Sequence, residues 1–309
     1  MNFSPEYMTG MSKKAMSLSA INEAIKEGSI IESLVTSCDD DLTLTLDIGK
    51  DIVGKITFDN IEYKYDNTEV KAIAAMSKVG KHVKFVPTAI EYIDGKHIVT
   101  CSRKLAQSIC YKEFISKLVP GDVIDARIIR VENYGVFCDI GCGIVALLPT
   151  NLISVTHIIN PRELLADTTT LKVVVKHIQE DGKIQLSHRE LLGTWEQEAS
   201  KLKVGSTVCG AVLSVEDYGI FIRLSQNLSG LASPTGDVNV KTGDVVSVHI
   251  NSIAENTLKI KLNIVNKIDN CSEMLKFNYY ITEGHIDKWL YSPNGKKIIE
   301  SNFEGLKNE

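Results

Sequence analysis

The sequence predicts an all-β protein of three tandem five-stranded barrels, joined by short helical linkers and followed by a small C-terminal appendage. Three observations predict it. Glu27-Gly28-Ser29-Ile30, Pro120-Gly121-Asp122-Val123 and Val204-Gly205-Ser206-Thr207 each place a glycine and a small polar residue ahead of several short β-rich runs. Each repeat then closes in a hairpin-like pair, over Val79 to Arg103, Leu171 to Arg189 and Val245 to Ile264. Two of those pairs turn on Asp-Gly, at Asp94-Gly95 and Asp181-Gly182, the dipeptide that supplies positive φ between antiparallel strands. Five short strands within roughly 70 residues, with no long helix inside, suit a small closed barrel.

Bulk properties narrow the class. A chain of 309 residues fits two or three domains, and 44% hydrophobic with 24% charged residues is an ordinary globular composition. The net charge of −5 argues against a duplex-DNA clamp, yet leaves room for a binder that works by stacking. No apolar run reaches the length of about 18 residues that a membrane span needs, and Lys13 and Lys14 precede no apolar core of a secretory signal. The seven cysteines are scattered and odd in number, which speaks against a disulfide framework and for a reduced, cytoplasmic protein. Cys138 has inward strand parity and reads as a small core residue; it and Cys142 form no paired CxxC, so no metal or other cofactor is expected.

In chain order, residues 1–16 carry no anchoring pattern. Leu18, Ile21, Ala24 and Ile25 follow helical spacing, with Ser17 or Ser19 as N-cap and Gly28 as the stop, so 1–25 form an arm and a short helix. The first barrel spans 26–104. A helical linker covers 105–117, where Leu105, Ile109, Tyr111 and Ile115 fall on one side. The second barrel spans 118–189. In the next linker, 190–202, Thr194 and Gln197 have capping-box spacing and start a helix at Trp195, which is expected to brace the neighbouring barrels, with an exposed stacking role as the less favoured alternative. The third barrel spans 203–264. The aromatic-rich tail, 265–309, is expected to pack on the third barrel, with Asn294-Gly295 marking a tight turn.

Two near-copies stand 84 residues apart: Glu132-Asn133-Tyr134-Gly135-Val136-Phe137 and Glu216-Asp217-Tyr218-Gly219-Ile220-Phe221. Val136, Cys138 and Ile140 share an apolar parity that suits a barrel interior, so Phe137 shares the outward parity with Asp139. In the second copy Ile220, Ile222 and Leu224 go in while Phe221 and Arg223 go out. An outward Phe beside a Tyr carried past a glycine is a platform for flat rings, the device by which sequence-tolerant proteins hold single strands. An ordinary buried aromatic pair is the alternative for either copy alone; their repetition at matching positions favours the platform.

Gly121-Asp122-Val123, Tyr134-Gly135-Val136-Phe137 and Gly182-Lys183-Ile184-Gln185-Leu186-Ser187-His188-Arg189 resemble the RNA-binding repeat named after bacterial ribosomal protein S-one, an OB-fold barrel. The third repeat is similar through Val204-Gly205, Tyr218-Gly219-Ile220-Phe221, Asn227-Leu228-Ser229-Gly230-Leu231 and Lys259-Ile260-Lys261-Leu262. The first is similar more weakly, through Gly28-Ser29-Ile30, Gly54-Lys55-Ile56 and Gly95-Lys96-His97-Ile98. The resemblance covers about 26–264. It implies base stacking on Tyr134, Phe137, Tyr218 and Phe221, and backbone contacts from Lys183 and Lys259. Arg223 and Arg127 share the outward parity and add candidate phosphate contacts; a solvated surface charge is the alternative for each cation. Pro149 and Ser233 stand where many members have a His, and Gln179 and Ala254 near the family's acidic residue, so those contacts are altered. In the first repeat Asp41 falls at the Tyr134 slot and Leu44 at the Phe137 slot, within about one residue. That stretch has no aromatic platform, and Asp39, Asp40 and Asp41 would repel phosphate; the run reads either as part of a protein-docking barrel or as a solvated turn.

The function expected is therefore non-enzymatic binding of single-stranded RNA, mRNA at the small ribosomal subunit, by two barrels in tandem. The other class considered is a protein-interaction scaffold on the ribosome or an RNA-decay complex. His157, His177 and His188 have no metal or catalytic spacing, and Gly141-Cys142-Gly143 opens no helix, so neither an enzyme nor a small-molecule substrate is expected.

Overall fold

The computed structural model describes residues 3–6, 15–64, 69–158, 160–165, 168–234, 239–269, 277–292 and 298–305. Helix α1 (Leu18–Glu27) starts where the Ser17 hydroxyl accepts the Ala20 N–H, and ends at Gly28 in the left-handed region, φ 65°. The first barrel follows: β1 (Ile31–Cys38), β2 (Leu44–Gly49), β3 (Ile52–Ile56), β4 (His82–Ile93) and β5 (Lys96–Ser102), with the short helix α2 (Ala72–Met76) between β3 and β4. Helix α3 (Arg103–Glu113) leads to the second barrel, β6 (Val123–Glu132), β7 (Gly135–Asp139), β8 (Val145–Pro149), β9 (Thr170–Ile178) and β10 (Ile184–Ser187), with α4 (Pro161–Leu165) between β8 and β9. Helix α5 (Trp195–Ala199) precedes the third, β11 (Thr207–Glu216), β12 (Gly219–Arg223), β13 (Ser229–Ala232), β14 (Val245–Ala254) and β15 (Lys259–Ile268). Each barrel closes in the same order, first strand–second–third–fifth–fourth, with third and fifth parallel and the other pairs antiparallel. The chain is thus three tandem OB-type barrels, as its repeats predict.

Alternation explains the interiors. On β7, Val136 and Cys138 are fully buried, and on β12 Ile220 and Ile222 fill the matching places. Each barrel has its own apolar cluster, around Leu44, Leu46 and Phe85 in the first and Leu148, Val173 and Leu186 in the second. The third cluster reaches beyond its barrel to Val174, Leu191, Trp195, Ile286, Trp289 and Phe303.

The structure departs from sequence expectation at three joints. Part of the unanchored arm is buried: Glu6 and Arg103 are each 1% exposed, and Arg103 Nε donates to Glu6 Oε1 at 2.7 Å and Nη2 to Oε2 at 3.0 Å. Burial raises the Glu6 carboxyl, but Arg103, Lys78 and the hydrogen bonds outweigh it and hold the group below its ordinary value. Linker helix α3 accordingly buries Arg103, Ala106, Gln107 and Cys110; of the apolar side expected, Ile115 is buried and Ile109 and Tyr111 are half-buried, while Leu105 turns outward. Its polar groups are wanted inside, since Gln107 donates to the Cys142 carbonyl. Asp139, of outward parity, faces protein instead of water; it accepts the N–H groups of Glu6, Gly141 and Gly143. The tail, finally, packs on the second barrel as well as the third. Its strands β16 (Lys288–Leu290) and β17 (Glu300–Asn302) form an antiparallel pair, and the Asn294-Gly295 turn lies outside the described residues.

Candidate nucleic-acid interface

Strand register sets one outward row across each barrel. In the second barrel Phe137 pairs with Arg130 on β6 and Leu147 on β8, and Leu147 with Gln185 on β10. In the third, Phe221 pairs with Ser214 and Leu231, and Leu231 with Lys261. A bulge on the first strand, at Ile129 and at Leu213, carries Arg130 and Ser214 into the row. The two rows are superposable in topology and differ in chemistry at their ends.

At each row stands an aromatic pair. The Tyr134 and Phe137 centroids are 6.1 Å apart with planes at 88°; those of Tyr218 and Phe221 are 6.1 Å apart at 83°. Both are edge-to-face contacts, which favour the ring quadrupoles and keep the pair ordered before any ligand arrives. Tyr134 is 62% exposed and Tyr218 69%, whereas both Phe rings are half-buried. The intervening glycine is required by close approach. A Cβ at Gly135 would stand 2.7 Å from the Leu148 carbonyl oxygen, and one at Gly219 2.9 Å from that of Ala232. Only a residue without a side chain lets the second strand lie this near the third and present Tyr and Phe on one side.

The cations are distributed unequally. Lys259 opens the fifth strand of the third barrel, two residues before Lys261, and Lys183 stands at the corresponding place in the second, in the turn just ahead of β10 and two residues before Gln185. Lys183 is ion-paired with Asp181 inside its hairpin turn, which offsets its charge at that place. Arg223 lies two residues past Phe221, half-buried between Ala211 and Ser229; Arg127 lies on β6 between Asp139 and Thr170. Two row residues escaped the sequence reading. Arg130 sets its guanidinium carbon 4.7 Å from the Phe137 centroid, with Nε 3.2 Å from Glu132. Lys261 ends the third-barrel row. Parity could have flagged Lys261, but placing Arg130 requires knowing the bulge.

The first barrel keeps the scaffold and replaces the row with Ser37, Thr45, Lys55 and Thr100. Five residues, 39–43, separate the paired Cys38 and Leu44, where four separate Val131 and Val136. The extra residue shifts the slots by one from expectation: Leu42 stands for Tyr134 and Thr45 for Phe137. Lys55 Nζ donates to Thr45 Oγ1 at 2.8 Å and to Asp39 Oδ2 at 2.9 Å, so that charge is spent within the barrel. The Asp41 carboxylate accepts the Thr43 N–H and hydroxyl, which holds it below its ordinary pKa and makes this part of the acidic run a turn.

Among the described residues, no group of three or more His, Cys, Asp or Glu is placed to hold a metal ion, and no helix is long and apolar enough to cross a membrane. Residues 117–189, the second barrel, match the S1 RNA binding domain. The chain is 26% identical to small ribosomal subunit protein bS1 of Staphylococcus epidermidis, over 79% of this chain and 74% of that protein. It is 28% identical to a bS1 homolog of Bacillus subtilis, over 50% of this chain and 43% of the relative. Among solved structures, a multidomain protein with nucleic acid binding domains from Streptococcus pneumoniae aligns with 77% of this chain and 73% of its own, at 14% identity and a TM-score of 0.24. At that TM-score the likeness carries no weight for function.

Proposed function

We propose that this chain, a bS1-like protein built from S1-type repeats, grips single-stranded RNA with its second and third barrels and holds mRNA unpaired at the small ribosomal subunit. The observation that carries the reading is the repeated edge-to-face Tyr–Phe pair, set at the same register position of two barrels with the Tyr in solvent. Stacking is worth roughly 1–3 kcal/mol per base. Four rings therefore supply useful affinity without a strongly basic surface, in keeping with a net charge of −5. Tyr134, Phe137, Tyr218 and Phe221 would stack bases, while Lys183, Lys259, Arg127 and Arg223 would meet the backbone. No catalytic step is invoked, and no cofactor. The first barrel, lacking rings, would serve as a docking surface for a ribosomal partner.

The test is the double variant Phe137→Ala with Phe221→Ala, titrated against an unstructured RNA, matched DNA and duplex RNA across salt. Affinity for the single strand should fall by well over 1 kcal/mol with the melting curve largely unchanged. Unaltered affinity sinks the reading. Deleting 1–104 should spare RNA affinity and abolish co-sedimentation with ribosomes; an equal loss of both would reject the division of labour.

A further inference from the structure

Two barrels joined by a short linker move relative to one another by default unless a large apolar interface holds them. Here three sets of contacts hold them. The first is direct. Asn227, fully buried in the loop before β13, accepts the Val155 N–H of the second barrel at 3.1 Å. Its amide donates to the Arg189 and Gly193 carbonyls at 2.8 and 2.9 Å. One side chain thus joins both barrels and the linker, with its amide oxygen and both amide hydrogens engaged.

The second set belongs to the C-terminal tail. On the second barrel, the Val123 N–H donates to Gly284 and the Ile286 N–H to Gly121, both at 2.9 Å, with His285 2.8 Å from the Asp122 carboxylate. The Tyr279 hydroxyl lies 3.2 Å from the Lys172 N–H and 3.2 Å from His188 Nε2. On the linker, Tyr280 N–H donates to Leu191 and Trp195 N–H to Tyr291. On the third barrel, the Tyr291 hydroxyl donates to the Asn227 carbonyl. The third set is apolar: one buried cluster runs from Val174 through Leu191 and Trp195 to Val212, Ile222 and the tail's Trp289 and Phe303.

The repeat glycines record this fit. Gly28, Gly121 and Gly205 all have positive φ and open corresponding strands, yet nothing lies within 4 Å of a Cβ built at Gly28 or Gly205. A Cβ at Gly121 would stand 2.5 Å from the Ile286 carbonyl oxygen, and one at Gly193 2.5 Å from the Tyr280 ring. The second barrel and its linker are therefore shaped to receive the tail.

We infer that the tail is a splint that fixes the second and third barrels into one preorganised unit, so that an RNA reaching both ring pairs pays no further cost for orienting them. The RNA part rests on the function proposed above; the splint itself does not. Tyr279 and Ile286 are positioning residues, remote in sequence from the rings whose spacing they hold. Preorganisation of this kind shows as effective concentration, and so only for ligands that span both sites.

The test uses the full chain labelled at the exposed hairpin residues Glu180 and Glu255, with the distance distribution measured by pulsed electron resonance. Wild type should give one narrow distribution, and Tyr279→Ala with Ile286→Ala a broad one. That variant should bind an RNA of about 20 nucleotides roughly tenfold more weakly, yet an oligomer of about 5 nucleotides within about twofold of wild type. A broad distribution in wild type overturns the inference whether or not the variant folds. Equal losses on both RNAs, or none on the longer, overturn the positioning role. A narrow wild-type distribution with no RNA affinity at all supports the splint and rejects the RNA reading instead.

Discussion

The Arg130 guanidinium lies over the Phe137 ring, its central carbon 4.7 Å from the centroid, while the matching position above Phe221 is Ser214. An exposed contact of this kind is worth roughly 0.5–1 kcal/mol, and the 3.2 Å approach of Nε to Glu132 helps hold it. The two ring pairs are therefore unequal. A base can meet Phe221 directly, whereas at Phe137 it meets the guanidinium or must displace it. Phe221→Ala should cost the larger part of the stacking range of roughly 1–3 kcal/mol and Phe137→Ala clearly less. In an Arg130→Ser background the two costs should converge. Fluorescence anisotropy on one unstructured RNA decides this, and equal losses in the wild-type background contradict it.

Lys261 ends the row through Phe221, with Lys259 beside it on the same face, whereas the second-barrel row ends in neutral Gln185. Backbone neutralisation should therefore be concentrated on the third barrel. Lys261→Ala should weaken binding about equally across RNA sequences and reduce the slope of log affinity against log salt by about 0.7, the increment per phosphate on a single strand. Gln185→Lys should raise the slope by a similar amount. A slope unmoved by Lys261→Ala would take that side chain off the RNA path.

The fold and the outward placement of the two Tyr–Phe pairs were legible because both follow local rules. Period-two alternation put Val136 and Cys138 inside, Asp-Gly turns marked hairpins, and the Thr194–Gln197 capping box forms as its spacing predicts. What escaped is non-local. Nothing around Glu6 marks a carboxylate that will be buried against a guanidinium 97 residues away. Leu105 was expected inside because apolar spacing says nothing of Gln107 or Arg103 being needed there. The tail's attachment at Asp122 depends on a pairing with His285 across 163 residues, and Arg130 enters the row only through a bulge.

Glu6 and Arg103 form a buried bidentate pair joining the N-terminal arm to the start of the first linker, with Lys78 3.9 Å from the same carboxylate. Breaking such a pair strands a charge away from water, and Glu6→Gln should destabilise the protein by about 3–5 kcal/mol. Replacing both members, Glu6→Leu with Arg103→Met, should recover much of that loss, because neither charge is then left unpaired. Chemical denaturation of the three proteins measures this. If Glu6→Gln unfolds at the wild-type midpoint, the arm is not held as described.

His188, fully buried at the second linker, has Nδ1 2.9 Å from the Ile153 carbonyl and Nε2 3.2 Å from the Tyr279 hydroxyl. A neutral ring satisfies both, donating from Nδ1 and accepting at Nε2. Burial pushes its pKa down to about 4, despite the bond to Ile153 that works the other way. In the unfolded chain the ring protonates near 6.5. Between those values the unfolded state binds more protons, so this group's contribution to stability falls as pH falls from about 6.5 to 4, by about 3 kcal/mol. Asp139 acts oppositely over nearly the same window. Burial and the neighbouring Glu6 carboxylate lift it to about 7, so the folded state holds the extra proton and stability is lost as pH rises through 7. The two trends offset each other, and the stability of wild type alone will hide both. The difference between wild type and His188→Asn isolates the imidazole. It should climb from pH 4 to 6.5 and be level above; a difference that is level throughout would mean that His188 is not held neutral between Ile153 and the tail's Tyr279.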